Sequence, residues 1–236
     1  MELPQISVII AVKNAAAYLT ECLESVAAQT FADYEIVMVD GHSTDATEAI
    51  ARSYAKVRFF QQSGRGFADA WNCGLREARA EYIAFIDSDD RWTANKLASQ
   101  IAILKSDDRL EAVIGKVRFF LEPGETPPRG FRDKVLGRDH IAQMPGTLLA
   151  RRRLFERIGD WGDGWAVAND VDWFLKVKDS GLPIGMLDEV VLHKRVHSRN
   201  FSYVSAENPA YPKEILRLLH NSILRKRAIK VAKGSR

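Results

Sequence analysis

Cysteine is nearly absent from this chain: Cys22 and Cys73 are the only two in 236 residues. Cys22 falls in an apolar helical face and Cys73 lies beside another, so two buried thiols are expected rather than a disulfide, and no metal-type cysteine spacing exists. A reducing, cytosolic compartment follows from that usage. Charge of one sign is missing too. The 34 basic and 31 acidic residues leave a formal net charge of +3, too little for a nucleic-acid-coating surface, although it suits a protein that handles phosphates. Long hydrophobic runs are lacking: Ile6–Val12 has no basic leader and is far too short to cross a bilayer, so a cytoplasmic chain, soluble or peripheral at the inner membrane face, is expected. No internal repeat is visible. Nor does a glycine-rich phosphate loop follow the first apolar run, where Lys13-Asn14-Ala15-Ala16-Ala17-Tyr18 stands instead. That argues against a Rossmann dehydrogenase and against a sugar nucleotidyltransferase.

What is present reads as an α/β protein. Ile6–Val12 and Tyr34–Asp40 are short runs rich in β-branched residues, as buried parallel strands are. Between them Leu19, Cys22, Leu23 and Val26 follow the i, i+3, i+4, i+7 spacing of one buried helical face, with Asn14 as a candidate N-cap. A second helix is expected from Thr44 or Asp45, with Glu48 placed for a capping-box contact. Residues 57–60, a helix over 67–79 and the run 82–86 repeat the scheme, and Leu97, Ile101 and Leu104 mark a further helix. Ligands of such a doubly wound sheet bind at the carboxyl ends of its strands, here 11–14, 40–43 and 87–90. After a strand at 117–121, the Pro/Gly-rich stretch 122–130 predicts a surface loop. Then come a helix over 170–179, short strands at 184–187 and 190–192, and a helix whose stripe of Ile215, Leu218, Leu219 and Ile223 suffices to dock it on the protein's own core.

The strongest chemical signal is Asp87-Ser88-Asp89-Asp90 at the end of the apolar run 82–86. Like charges a few ångströms apart raise one another's pKa values, so the crowding makes sense chiefly if a cation neutralises it. By ligand type, a hard divalent ion such as Mn²⁺ or Mg²⁺ suits carboxylate oxygens.

In this order and spacing the chain resembles the family 2 glycosyltransferases of the GT-A fold. The opening 6–14, with Tyr18-Leu19 and the segment 25–30, looks like that family's first strand and helix; 35–45 is similar to its second strand and nucleoside-contacting loop. Gly64-Arg65-Gly66 and 70–75 resemble the segment before its Asp-x-Asp strand, with which Asp87 and Asp89 are in register. Pro145-Gly146-Thr147 with Arg151 and Arg152 looks like the region leading to the acceptor side, 169–175 like the segment bearing the catalytic base, and 195–200 like a late basic motif. Two departures stand out. The family often has Asp-Asp where this chain has Asp40-Gly41, and Glu-Asp where it has Asn169-Asp170.

The resemblance implies a GT-A-type mixed sheet flanked by helices over residues 1–211, with a nucleotide-sugar half to about 120 and an acceptor half beyond it. A C-terminal basic helix and tail would occupy 212–236. It implies an inverting, metal-dependent transfer from a nucleoside-diphosphate sugar, a UDP-sugar foremost, to an acceptor hydroxyl whose carrier the sequence leaves open. Donor contacts fall on Ala11, Val12, Lys13, Asn14, Asp40, Gly41, Arg65, Asp87 and Ser88, metal ligation on Asp87, Asp89 and His197, and the general base on Asp170. Asp172 reads as structural and His42 as a turn residue. The tryptophans read chiefly as core, with Trp161 or Trp165 as a candidate acceptor platform. A binding module of the same fold without activity is the alternative that Asn169 leaves open. Peripheral membrane contact through the C-terminal helix stands beside a solvated helix with a basic tail.

Overall fold

The computed structural model describes residues 3–128, 131, 133–162, 164–165, 168–200 and 211–234. Strands β1 (Ile6–Val12), β2 (Tyr34–Asp40), β3 (Val57–Gln61) and β4 (Tyr82–Phe85) pair in parallel in the order β3-β2-β1-β4. Every residue of β1, β2 and β4 is buried, as unbroken apolar runs require when helices cover both faces. The crossovers run through α1 (Leu19–Ala27), α2 (Thr47–Arg52) and α3 (Gly66–Glu77). The chain steps outward from β1 to β3 and then returns to β4 on the other side of β1. The crevice beyond the carboxyl ends of β1 and β4 is therefore the topological switch point where ligands of such sheets bind.

The remainder is β5 (Arg91–Trp92), α4 (Lys96–Ser106), β6 (Ala112–Phe120), β7 (Asp139–Ile141), β8 (Leu148–Arg151), α5 (Arg152–Ile158), α6 (Asn169–Ser180), β9 (Ile184–Arg195) and α7 (Tyr211–Gly234). β8 joins β4 antiparallel, β6 follows antiparallel, β9 lies parallel to β6, and β5 closes the edge antiparallel to β9. One core cluster packs α1 and α4 on one sheet face. On the other, α3, α5 and α6 enclose Phe85, Phe155, Trp161 and Trp173, with the Trp161–Trp173 and Phe155–Trp173 ring centroids each 4.8 Å apart. Gly74 lets α3 lie directly on β1, since a Cβ there would collide with Ile9.

At the amino ends of these strands, Glu35 is buried and accepts bonds from Ser7 Oγ (2.8 Å), Arg79 (backbone N 2.9 Å, NH2 2.8 Å) and Arg58 NH1 (3.0 Å). Burial opposes its ionisation, but the bonds from Arg79, Ser7 and Arg58 outweigh that and hold its carboxyl below the usual range. Further along the sheet, three consecutive carbonyls are caught by side chains of β5 and α4. Trp92 Nε1 donates to Gly146 O (2.9 Å), Gln100 Nε2 to Thr147 O (2.8 Å) and the buried Lys96 Nζ to Leu148 O (3.1 Å).

Several sequence expectations need revision. Asn14 does not cap α1. It takes a left-handed backbone (φ 49°), and its side-chain Oδ1 accepts from Thr44 N at 2.8 Å, which latches the first loop to the second. α2 begins at Thr47, whose amide bonds Asp45 Oδ1 (3.0 Å), while Glu48 pairs with Arg52 instead of forming a capping box. The two short strands after α6 are one, β9, carried past an irregular register opposite Lys116. Along α7 only Leu218 of the predicted stripe is fully buried; Leu219 and Ile223 are about half exposed. Arg151 and Arg152 lie at the opposite edge from the carboxyl ends of β1 and β4, because β8 runs antiparallel to β4 and pairs Arg151 with Tyr82 at the start of that strand. There Arg151 binds Leu104 O and Leu110 O, and Arg152 binds Ala78 O and Ala80 O.

Candidate active site

β4 ends at Phe85, and the turn after it delivers Asp87, Asp89 and Asp90 to the switch point, with carboxylate oxygens within 4.8 Å of one another. Their surroundings differ. Asp90 is buried, and its oxygens accept from Arg195 N (2.9 Å) and Lys194 Nζ (3.0 Å). Lys194 Nζ also reaches Asp87 Oδ2 at 3.1 Å. Burial pushes Asp90 up to about 8, with Lys194 opposing and the Asp89 and Asp87 charges adding to the push. Burial likewise works against the Lys194 ammonium, yet Asp90, Asp87 and Asp89 hold its pKa well above the ordinary lysine value. Under the turn, Cys22 Sγ lies 3.5 Å from Asp87 O; burial first, then Asp90, Asp89 and Asp87, raise that thiol well above its usual value and keep it neutral.

Asp89 meets the end of β9 and the residues after it. Its Oδ2 lies 3.0 Å from His197 Nε2 and 3.1 Å from Asn200 Nδ2. Burial disfavours its charge, but the His197 bond and Lys194 prevail and its pKa is lowered. Arg199 N donates to His197 Nδ1 at 3.1 Å, so in the neutral ring the proton sits on Nε2 and faces Asp89. Tyr18 stacks on the His197 ring (5.1 Å), and Arg195 packs over Tyr18 while bonding Asp89 O (2.9 Å), Glu21 (2.9 Å) and Glu122.

These residues fit a divalent ion. Asp87, Asp89 and Asp90 each offer a carboxylate oxygen within 4.8 Å of the others, the kind of oxygen cluster a hard dication takes, and His197 Nε2 is hydrogen-bonded to one of them, Asp89 Oδ2, at 3.0 Å. An ion there would replace the shared proton. Asp87 lies beside them, and Asp90, bonded to Lys194 and Arg195 N, also ties β9 to the turn.

Two latched loops follow the carboxyl ends of β1 and β2. Ala11 and Val12 end β1 in the core, and Gly41 N bonds Val12 O at 2.8 Å. The Lys13 stem lies beside Gly41, where an added Cβ would come within 3.1 Å of Gln62 Oε1 and 3.5 Å of Lys13 Cδ. Asp40 is buried and bonds Ser43 and Gln61 Nε2 (3.1 Å), so its carboxylate shapes the loop, and His42 turns there with φ 61°. Ser88 is half-buried between the acids, and Arg65 is exposed at the start of α3 without a described contact to them.

The first turn of α6 carries Asp170. Its Oδ1 accepts from Val171 N at 2.8 Å, and burial, then the Asp87 charge, raises its pKa. Asn169, where the family has Glu, is spent on its own loop through Gly162 O (2.6 Å) and Trp165 O (3.3 Å). Asp172 is buried and paired with Lys176 at 2.8 Å, a structural role. Trp161 is sealed in the aromatic core and offers no acceptor platform, whereas Trp165 is half-buried with Arg217 over one face at 3.7 Å. Lys194, Glu21 and Glu122 escaped sequence reasoning. Lys194 carries no signal of its own, because Asp188-Glu189 breaks the alternation of its strand.

Comparison with known proteins places this arrangement. The family model described as Glycosyl transferase family 2 matches residues 7–173. An uncharacterized glycosyltransferase of Rickettsia typhi is 30% identical over 207 residues, covering 82% of this chain and 64% of the relative. A PGL/p-HBAD biosynthesis glycosyltransferase of Mycobacterium tuberculosis is 31% identical over 182 residues, covering 75% and 70%. A Rickettsia felis relative is spanned over only 35% of its length, so the chain matches between about a third and two thirds of its first relatives. Among solved structures, S. aureus TarS 1-349 in complex with UDP-GlcNAc superposes with a TM-score of 0.74 at 23% identity, over 93% of this chain and 66% of that one. The mannosyltransferase PcManGT from Pyrobaculum calidifontis, in complex with GDP-Man and Mn²⁺, gives 0.64 at 26%, over 85% and 59%. The mixed sheet with flanking helices is the fold of these GT-A neighbours, and the chain belongs to glycosyl transferase family 2.

Proposed function

We propose that this chain transfers a sugar from a nucleoside-diphosphate sugar, a UDP-sugar foremost, to an acceptor hydroxyl with inversion at the anomeric carbon. One observation carries the reading: the carboxylates of Asp87, Asp89 and Asp90 cluster at the switch point with His197 bonded to Asp89, near enough to Asp170 for the Asp87 charge to help burial raise its pKa. Nucleotide-sugar complexes of TarS and PcManGT support the donor class, and the Mn²⁺ in the latter supports a divalent ion.

Asp89 and His197, with Asp87 beside them, would hold Mn²⁺ or Mg²⁺, which as a Lewis acid supplies charge stabilisation at the leaving diphosphate. Ala11, Val12, Lys13, Asn14, Asp40 and Gly41 form the nucleoside rim, with Ser88 and Asp87 at its floor. Lys13 and Arg65 add cationic donors toward the diphosphate oxygens. Asp170 takes the proton of the acceptor hydroxyl as its oxygen bonds to the anomeric carbon, and the bond to the diphosphate oxygen breaks with its electron pair leaving on phosphate. A base whose pKa is raised toward neutrality is the better proton acceptor. A single displacement on one face inverts the centre. No helix among the described residues is long and apolar enough to cross a membrane, and no nucleic-acid partner is proposed.

A thermal-shift panel of UDP-, GDP- and dTDP-sugars with and without Mn²⁺ tests this, since a ligand that binds only the folded state stabilises it by RT ln(1 + [L]/Kd). The expected result is a metal-dependent Tm increase that is largest with a UDP-sugar and lost in Asp89→Ala. An equal increase in that variant would remove the metal site from the reading.

A further inference from the structure

α7 turns one face to the protein and another to solvent. Leu218 and Ser222 are buried toward α6, where Ser222 Oγ and Arg225 Nε both bond the Asp179 carboxylate at 2.9 Å. Burial opposes the charge of Asp179, but these bonds hold its carboxyl below the usual range, so this clamp fixes the rotation of the helix. Leu216, Leu219 and Ile223 recur at i, i+3 and i+7 on the outer face, 68%, 52% and 51% exposed, with Leu224 beside them at 48%. Four large aliphatic side chains on one exposed helix are a costly arrangement in water and mark a docking surface.

Charge selects the occupant. Seven of the chain's 34 basic residues and none of its 31 acidic ones fall after Glu214, leaving 27 basic against 31 acidic up to and including it. Arg227 stands three turns beyond Leu216 on the outer face, and Lys230 follows within a turn. A second copy docking through this face would bring its own cations against these, whereas an anionic lipid surface accepts both the aliphatic row and the cations around it. We propose that α7 lies on an anionic bilayer, with Leu216, Leu219 and Ile223 at the acyl boundary and the exposed Arg227 among the headgroups, followed in sequence by further basic residues.

Co-sedimentation of the full chain with phosphatidylcholine vesicles, with and without phosphatidylserine, tests the proposal. The chain is expected to pellet with the anionic vesicles only, less so at high salt. Leu219→Glu with Ile223→Glu, and separately Arg227→Glu with Lys230→Glu, should each lower partition by roughly tenfold or more while circular dichroism and Tm stay unchanged. Failure to pellet, equal binding to neutral vesicles, or unchanged binding by either variant overturns the proposal. A dimer in sedimentation velocity that Leu219→Glu with Ile223→Glu dissolves assigns the face to a second copy instead. The readout is vesicle partition, so its failure leaves the transferase reading standing, and loss of transferase activity would leave this surface untouched.

Discussion

The two edges of the parallel sheet handle buried negative charge in opposite ways. At the amino edge one carboxylate, Glu35, meets two guanidinium groups and a hydroxyl, and every bond it receives favours ionisation. At the carboxyl edge three carboxylates share one ammonium, Lys194, and an imidazole. The first edge is electrically complete and holds β1, β2 and the end of α3 together. The second keeps unspent negative charge in a crevice, which is what a site that recruits a dication and an anionic diphosphate requires. Arginine forks suit the first task because their planar donors lock carboxylates, and a single lysine suits the second because it leaves room.

The contrast can be broken at either edge. The largest expected effect is from Asp170→Asn, which should lower kcat by about 10²–10⁴-fold while the metal-dependent Tm increase with nucleotide sugar persists; steady-state kinetics beside thermal shift reads both. An unchanged rate would take Asp170 out of the reaction. At the opposite edge, Glu35→Gln should cost about 1.5–3 kcal/mol at neutral pH, since it removes the charge that the partly exposed Arg58 and Arg79 bond. Because the folded-state value of Glu35 lies below its ordinary 4.5, its contribution is present above that value and fades as pH falls through the folded-state one, so the gap between wild type and variant should close in acid. Asp90→Asn should show the opposite slope. Its folded-state value is raised from 3.8 to about 8, so the wild type should lose stability relative to the variant as pH climbs between those values, by on the order of 1–3 kcal/mol. Denaturant midpoints from acid below the Glu35 range up to about pH 8 measure both, and parallel slopes would erase the distinction between the edges.

Much of this was legible in residue order. Unbroken apolar runs ending in polar residues gave β1, β2 and β4, and three acids after such a run pointed to the crevice. The late segment 195–200 was matched to the metal side, and there His197 meets Asp89. Lys194 was not legible, because the polar stretch Asp188-Glu189 splits the alternation of β9 and hides that the strand continues to the site. The outward row of α7 was misread for another reason. Spacing shows that an apolar face exists, but not which of two adjacent stripes docks, and the choice fell to the clamp at Asp179. Arg151 was misplaced because strand direction, invisible in composition, decides which end of a sheet a residue reaches.

The three carbonyls caught by Trp92, Gln100 and Lys96 have a mechanical consequence. Trp92 stands two residues after Asp90 and pairs with Leu192 of the strand that carries Lys194, while Gly146 and Thr147 form the turn that opens β8. The acid-bearing turn and this neighbouring wall are thereby riveted into one rigid piece, so any adjustment that tightens the grip on a diphosphate must swing that wall with it.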